Sequence, residues 1–192
     1  YQLLTNQEFD VRSIKKTSIP KLDIISSSID LAASEIELAE IENREEVLKK
    51  ILSKITGYDF IFIDCPPALG LLTINGLVAS KSVIIPLQCE FFALEGLSAL
   101  TNTIDTIKSG LNSNIDLEGV VLTMFDKRNA LSSLVEEDVR SHFKNKVYKT
   151  VIPRNVRISE APSHGKPVLL YDTHCAGSQA YIGLAKEVIL NQ

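Results

Sequence analysis

Apolar residues recur along the 192-residue chain in two alternating kinds of spacing. Spacings of three and four residues predict amphipathic helices, at 30–42, 44–55, 71–79, 94–110, 131–143 and 177–190. Short apolar runs bounded by turn residues predict strands, at 22–25, 58–64, 82–86, 117–124 and 147–152. Residues 1–21 have no long period and predict only a short helix or a loop.

The run from Phe60 to Ile63 places four large apolar residues directly before Asp64. A run this short predicts a strand buried on both faces, as in a parallel sheet. Strands that alternate with helices of this length predict right-handed crossovers. The expected fold is α/β, a mostly parallel sheet with helices on both faces, in a single domain over residues 1–192.

The composition narrows the class of protein. Hydrophobic residues make up 45% and charged residues 23%, which excludes a wholly disordered chain. No apolar run reaches the roughly 18 residues that a membrane-spanning helix needs. The three cysteines lack the spacing of a zinc site or a disulfide framework, so a reducing, cytoplasmic location is expected.

Charge is distributed unevenly around a net value of -4. Residues 127–166 contain nine Lys or Arg and four Asp or Glu, a local balance of +5. Such a section predicts either a cationic face for a polyanion or an ordinary solvated surface that is rich in lysine.

The residues that follow each predicted strand are the candidates for chemistry, because ligands bind at the carboxyl ends of parallel strands. Asp64 follows its apolar run as a Walker B aspartate does, where a carboxylate holds Mg²⁺ beside nucleotide phosphates. A turn or cap aspartate is the alternative. Asp126 stands at an equivalent position, and a turn aspartate is the alternative there. Arg154 and Asn155 follow another predicted strand, and loop solvation is the alternative for them. Neither the cysteines nor the histidines form a nucleophile or metal motif, so no catalytic residue is predicted.

Five segments together resemble, in order along the chain, the ParA/Soj family of chromosome-partitioning ATPases. The most informative is YDFIFIDCPPALGLLT, which includes Asp64. The five segments are Asp23–Ala32, Tyr58–Thr73, Pro86–Gly96, Glu118–Asp126 and Thr150–Pro167.

The resemblance implies a deviant P-loop fold that binds Mg-ATP, forms a homodimer around it and then binds DNA without sequence specificity. It also implies a ParB-type centromere-binding partner that stimulates hydrolysis. Asp64 would be the Mg²⁺-associated carboxylate, directly or through water. The adenine would be bordered by Met124, Asp126, Pro153, Arg154 and Asn155. The candidates for DNA phosphate contact are Lys144, Lys146, Lys149 and Arg157.

Two departures from the family pattern change these expectations. The 192 residues contain no Gly-x-x-x-x-Gly-Lys-Ser/Thr loop, whose backbone cradles phosphates and whose lysine stabilises the transition state. We therefore expect the C-terminal portion of such an ATPase, N-terminally truncated and unable to hydrolyse ATP by itself. The loop Thr173–Ala176 is also not basic, which weakens the expectation of DNA binding.

Two other functions fit the same residues. The first is that of a non-enzymatic module that docks on a full-length homologue or on DNA. A membrane-associated relative of the MinD type is disfavoured, because residues 184–192 lack a basic amphipathic tail. We thus expect no membrane partner, and a cytoplasmic, nucleoid-associated protein.

Overall fold

A computed structural model describes residues 1–190, which form short and long helices with a few strands. The α-helices are α1 (Gln2–Thr5), α2 (Ser34–Ala39), α3 (Val47–Leu52), α4 (Leu71–Ala79), α5 (Ala93–Gly110), α6 (Ala130–Phe143), α7 (Val156–Glu160), α8 (Val168–Tyr171) and α9 (Ala176–Leu190). The strands are β1 (Lys15–Lys16), β2 (Asp23–Ile24), β3 (Ser82–Gln88) and β4 (Asp116–Thr123). Single 3-10 turns cover Val11–Ser13, Ile29–Ala33, Arg44–Glu46, Lys144–Lys146 and Ala161–His164.

The chain divides into two compact units. The first comprises residues 1–81 and 103–116, and the second comprises residues 82–102 together with the chain from Leu117 onward. The prediction of a single domain over 1–192 stays a prediction.

The first unit is built around side chains that α1, α2 and α3 bury together. Leu4, Leu38, Val47 and Ile51 form this core. Asn75 of α4 is also buried, and its side chain accepts a hydrogen bond from the Leu48 amide while donating to backbone carbonyls. Because a buried amide without partners is costly, this bonding fixes α4 against α3.

The second unit is built around β3 and β4, which pair in a two-stranded sheet. The chain from Val147 to Pro153 runs alongside β4 and the residues that follow it, with two parallel bridges, Val120 with Val147 and Phe125 with Pro153. Helix α9 contributes apolar side chains to the same core, whose buried members are Val121, Tyr148 and Ile152. Parallel alignment of this kind brings the carboxyl ends of the segments to one edge.

Most of the predicted elements are present. Helix α4 has the predicted bounds, α5 ends at Gly110 as predicted, and α9 begins one residue before the predicted start. At the predicted strand 147–152, the chain runs parallel to its neighbour but forms only isolated bridges, so this segment is not a regular strand. The α/β class is confirmed.

The prediction of a doubly buried strand at 58–64 is wrong. No residue of this segment belongs to a strand, and Phe62 is 77% exposed. A strand requires a neighbour that pairs with its backbone, and none of the strands within residues 1–190 pairs with this segment. Consecutive apolar residues predict burial, but a strand also needs an adjacent strand to pair with, and the apolar run does not determine whether one is present.

Candidate nucleotide site

The loop that follows Asp64 is held by side chains from two directions. Thr73, in α4, donates from its hydroxyl to the Ala68 carbonyl at 2.6 Å, which closes the loop on the helix behind it. Glu35, in α2, accepts a hydrogen bond from the Leu72 amide at 3.1 Å through Oε1. The loop is therefore fixed at its exit although the segment before it has no strand neighbour.

Glu35 acts as the cap that α4 lacks in its own sequence. The residue preceding α4 is Gly70, which has no side chain to cap the helix. The Glu35 carboxylate occupies the space where a Cβ on Gly70 would lie, so a side chain at position 70 would have to displace that carboxylate. A carboxylate at a helix N-terminus satisfies free N–H groups and complements the helix dipole.

Asp64 itself is exposed. Within residues 1–190, no hydrogen bond or ion pair engages its carboxylate. Mg²⁺ prefers oxygen ligands and is commonly held by one or two carboxylates together with waters and phosphates. The group fits this role, and the described residues contain no cluster of three His, Cys, Asp or Glu that would hold a metal without such additional ligands.

In the second unit, the structure brings together the two segments predicted to border the adenine. The Phe125 amide donates to the Ile152 carbonyl at 3.1 Å, and the Arg154 amide donates to the Phe125 carbonyl at 2.9 Å. These bonds place Met124 and Asp126 beside Pro153, at the edge where the parallel segments end.

Two backbone features shape this edge. Met124 has a φ of 52°, a left-handed conformation that is uncommon for a residue with a side chain. Asn155 caps α7 by accepting a hydrogen bond from the Arg157 amide at 2.9 Å. The chain thus turns sharply after both segments, and the turns leave Met124 and Arg154 exposed.

Asp126 is paired with a neighbouring cation. Arg128 donates to both carboxylate oxygens, at 3.0 Å from Nε and 2.8 Å from Nη2. Hydrogen bonds from the Arg128 side chain and amide lower the pKa of Asp126 to about 2, and Arg154 adds a smaller effect. The carboxylate is consequently an acceptor at every physiological pH.

The four residues predicted to contact DNA do not form one cluster. Lys144, Lys146 and Lys149 lie around the start of the segment aligned with β4, whereas Arg157 lies beyond its end. The seven residues from Val147 to Pro153 span about 20 Å at the usual rise of a strand.

Arg157 is also engaged with acidic groups. Its guanidinium pairs with Glu160 at 2.8 Å and approaches Asp172 at 3.6 Å. DNA phosphates would have to compete with these carboxylates for Arg157.

Two residues important to this geometry were missed by sequence reasoning. Glu35 is one, and Glu187 of α9 is the other. Glu187 accepts hydrogen bonds from the amides of Lys149 and Thr150, both at 2.8 Å, and from the Thr150 hydroxyl. Each carboxylate acts on a segment 37 or 38 residues away in sequence, and no local motif signals such a contact.

Comparison with known proteins identifies the family. A family model described as an AAA domain matches residues 1–117. The sporulation initiation inhibitor protein Soj of Bacillus subtilis is 53% identical over 192 residues, covering 100% of this chain and 76% of its own length. The chromosome partitioning protein ParA of Caulobacter vibrioides is 52% identical, covering 98% of this chain and 72% of its own length. The chain belongs to the ParA/Soj family of partitioning ATPases.

Solved structures agree on the P-loop NTPase fold of this ParA/Soj-type chain. Cobyrinic acid a,c-diamide synthase from Mycobacterium smegmatis, with a bound ATP analogue and magnesium, is 35% identical with a TM-score of 0.74. The match covers 81% of this chain and 64% of that one, so the chain spans just under two thirds of that neighbour. A plasmid partition protein from Borrelia burgdorferi bound to AMPPNP has a TM-score of 0.81 at 23% identity, covering 99% and 72% of the two chains, and shows the fold alone.

None of the helices within residues 1–190 combines the length and the apolar character needed to cross a bilayer.

Proposed function

We propose that this ParA/Soj-family chain acts in chromosome or plasmid partition through a nucleotide site at the edge described above. The observation that carries the proposal is the pairing of residues 124–126 with residues 153–155, in a family of partitioning ATPases. Met124, Asp126, Pro153, Arg154 and Asn155 border the adenine. Exposed backbone turns and a permanently ionised acceptor at Asp126 suit recognition of base N–H groups.

Asp64 holds the Mg²⁺ that accompanies the nucleotide, directly or through water. A magnesium ion bound there would neutralise phosphate charge. The contribution of this chain is to supply one carboxylate oxygen ligand and to hold the loop after Asp64 in place through Glu35 and Thr73.

Nucleotide binding couples to homodimer formation, non-specific DNA binding and a ParB-type partner, in a cytoplasmic, nucleoid-associated protein. The relatives named for chromosome partitioning support this role. The 192 residues themselves lack the Gly-rich lysine loop, so a polypeptide made of them alone does not turn over ATP.

The nucleotide site is tested by photolabelling the chain with azido-ATP in the presence of Mg²⁺ and mapping the labelled peptides. Label in residues 124–126 and 153–155, competed by ATP, is expected. Label confined elsewhere would overturn the site. Steady turnover of ATP by the 192-residue polypeptide would overturn the proposal of incompetence.

DNA binding is tested separately by electrophoretic mobility at low salt. Replacing Lys144, Lys146 and Lys149 with Glu is expected to abolish binding and its salt dependence, since each lost phosphate contact removes about one unit of slope. Arg157→Glu is expected to have a smaller effect, because its cation is already paired. Binding unchanged in the triple variant would exclude the lysine cluster.

The alternative function is that of a non-enzymatic module that docks on a full-length homologue or DNA. It predicts co-purification with an intact homologue that does not depend on nucleotide. Association that requires Mg-ATP would favour the first function.

A further inference from the structure

Arg157 is held by two carboxylates of its own chain. Its Nη1 donates a hydrogen bond to Oε2 of Glu160 at 2.8 Å, and its Nε lies 3.6 Å from Oδ2 of Asp172. The Arg157 side chain is nevertheless 52% exposed. An anion from outside the chain can therefore reach this guanidinium, but it meets a cation that is already paired.

A second donor orients Glu160 toward Arg157. The Tyr171 hydroxyl donates to the same oxygen, Oε2, at 3.2 Å. The Tyr171 ring is half-buried and stacks on the His164 ring, with the centroids 4.9 Å apart. Pairing of two long surface side chains usually costs conformational entropy. Because a packed tyrosine restrains the carboxylate, that cost is reduced for the pair of Glu160 with Arg157.

Asp172 is held in place independently of Arg157. Its Oδ1 accepts hydrogen bonds from the amides of His174 and Cys175, both at 3.1 Å. The other oxygen, Oδ2, is the one that approaches Arg157. The Asp172 charge therefore stays beside the guanidinium whether or not Arg157 is engaged elsewhere.

A DNA phosphate and these carboxylates would use the same donors of Arg157. Guanidinium groups bind phosphates and carboxylates through similar pairs of N–H groups. A phosphate contact would thus require the bond to Glu160 to break, and the two carboxylates would repel the incoming phosphate. An exposed ion pair of this kind typically changes an equilibrium constant by a factor of about two to five.

We infer that Glu160 and Asp172 are intrachain competitors that weaken DNA binding by holding Arg157. The inference rests on the proposed function, in which Arg157 is a candidate for contact with DNA phosphates. Glu160 is the main competitor and a positioning residue, because it acts on DNA through Arg157. The exchange of carboxylate for phosphate makes the DNA complex weaker and more easily dissociated than the cations alone would make it.

The test measures binding of the chain to a labelled duplex of random sequence by fluorescence anisotropy, with Mg-ATP, over a range of salt concentrations. Glu160→Gln keeps an acceptor for the Tyr171 hydroxyl but removes the charge. It is expected to bind DNA about two- to fivefold more tightly than the parent. The slope of log affinity against log salt should become steeper by up to about one unit, because Arg157 gains a phosphate contact.

Two further variants separate release of Arg157 from a general change of charge. Glu137→Gln removes the same charge from an exposed glutamate of α6 in the same unit, and should neither steepen the slope nor match the gain. In an Arg157→Gln background, Glu160→Gln should gain no more than Glu137→Gln does, because the cation to be released is absent.

A structural side effect is checked in two ways. Thermal unfolding followed by circular dichroism should be nearly the same for the parent and Glu160→Gln, since the pair is exposed to solvent. Tyr171→Phe removes the hydroxyl that orients Glu160 and keeps the ring stacked on His164. It should also tighten DNA binding, by a smaller factor than Glu160→Gln.

The outcomes separate the inference from the proposed function. DNA binding by the parent with no gain in Glu160→Gln beyond that of Glu137→Gln overturns the inference and leaves DNA binding in place. A gain that persists in the Arg157→Gln background means that Glu160 repels DNA directly, and it also overturns the inference. No DNA binding by the parent or any variant overturns the inference together with the DNA-binding part of the proposed function.

Discussion

The residue predicted to hold Mg²⁺ and the residues predicted to border the adenine lie in different units, and each unit holds its own residues in place by different means. In the second unit, residues 124–126 and 153–155 are joined by backbone hydrogen bonds between parallel segments. In the first unit, residues 60–64 have no strand neighbour within the described chain, and the loop after Asp64 depends on the side chains of Glu35 and Thr73.

The two regions should therefore differ in how strongly side-chain substitutions disturb their structure. A backbone ladder survives most side-chain changes, because its donors and acceptors are present in every residue except proline. A loop held by one carboxylate and one hydroxyl depends on those two side chains. We therefore expect the Asp64 loop to be the more easily disturbed of the two.

The largest expected contrast is in amide hydrogen exchange. The amides of Phe125, Tyr148 and Ile152 are hydrogen-bonded between segments and lie in the core. Those of residues 60–64 have no such bond. We expect exchange in the first group to be slower by at least about a thousandfold, since core amides open only with free energies approaching that of global unfolding. Mass spectrometry or NMR measures it, and similar rates would show that residues 60–64 are paired.

Removing the Glu35 carboxylate is expected to have the next largest effect. Glu35→Ala leaves the half-buried Leu72 amide without its acceptor, which should lower the free energy of unfolding by about 1–3 kcal/mol. Glu35→Gln keeps an acceptor and should lose less. Urea denaturation measures both, and Glu40→Ala, an exposed glutamate nearby in sequence, should change stability by less than about 0.5 kcal/mol.

A double-mutant cycle tests whether the Glu35 carboxylate lies against Gly70. Gly70→Ala places a Cβ against the Glu35 carboxylate, so the two substitutions should couple. The cost of Gly70→Ala is expected to be smaller in the Glu35→Ala background than in the parent chain. Additive costs would indicate that the carboxylate does not lie over Gly70.

The corresponding experiment in the second unit is the substitution Glu187→Gln. Burial raises the pKa of Glu187, but hydrogen bonds from the Thr150 hydroxyl and the amides of Lys149 and Thr150 outweigh this and lower it below the ordinary 4.5. A lowered carboxyl pKa stabilises the fold above pH 4.5, and this contribution is lost as pH falls through the lowered pKa. Glu187→Gln should therefore be less stable than the parent at pH 7, by about 1–2 kcal/mol.

The pH dependence provides the control for that substitution. The difference in unfolding free energy between the parent and Glu187→Gln should shrink as pH is lowered below 4.5, because the parent carboxyl becomes protonated. A difference that stays constant from pH 7 to pH 3 would mean that the ionised carboxylate is not responsible.

The smallest expected effect concerns the Asp126 pair. Arg128→Gln removes the donor that holds the pKa of Asp126 at about 2, so that pKa should rise toward the ordinary 3.8. Carbon-detected NMR titration of the side-chain carboxyl measures the shift. Lys127→Gln, which removes an adjacent cation without that hydrogen bond, should leave the pKa unchanged. At pH 7 Arg128→Gln should lower stability only slightly, because solvent screens this exposed pair.

Sequence reasoning succeeded where the determining interactions are local. The periodic apolar positions of α4 and α5 gave their bounds, because a helix is specified by residues three and four apart. The meeting of Asp126 with Arg154 followed from a general rule that parallel strands end at one edge.

It failed where structure depends on distant groups. The apolar run before Asp64 has the composition of a buried strand, yet no strand neighbour in the described chain covers Phe62. The contacts of Glu35 and Glu187 join residues 37 or 38 positions apart, and nothing nearby in sequence distinguishes these two glutamates from the other acids. Only the packed structure identifies them.

Tyr148 lies in the core of the second unit, and its ring passes 2.6 Å from the position that a Cβ on Gly119 would take. Burial, followed by the nearby Glu118 carboxylate, raises the pKa of this phenol to about 12. The chain has no tryptophan and only five tyrosines. In an alkaline absorbance titration, Tyr148 should therefore ionise at a higher pH than an ordinary phenol. Loss of this difference would show that the core of the second unit has unfolded.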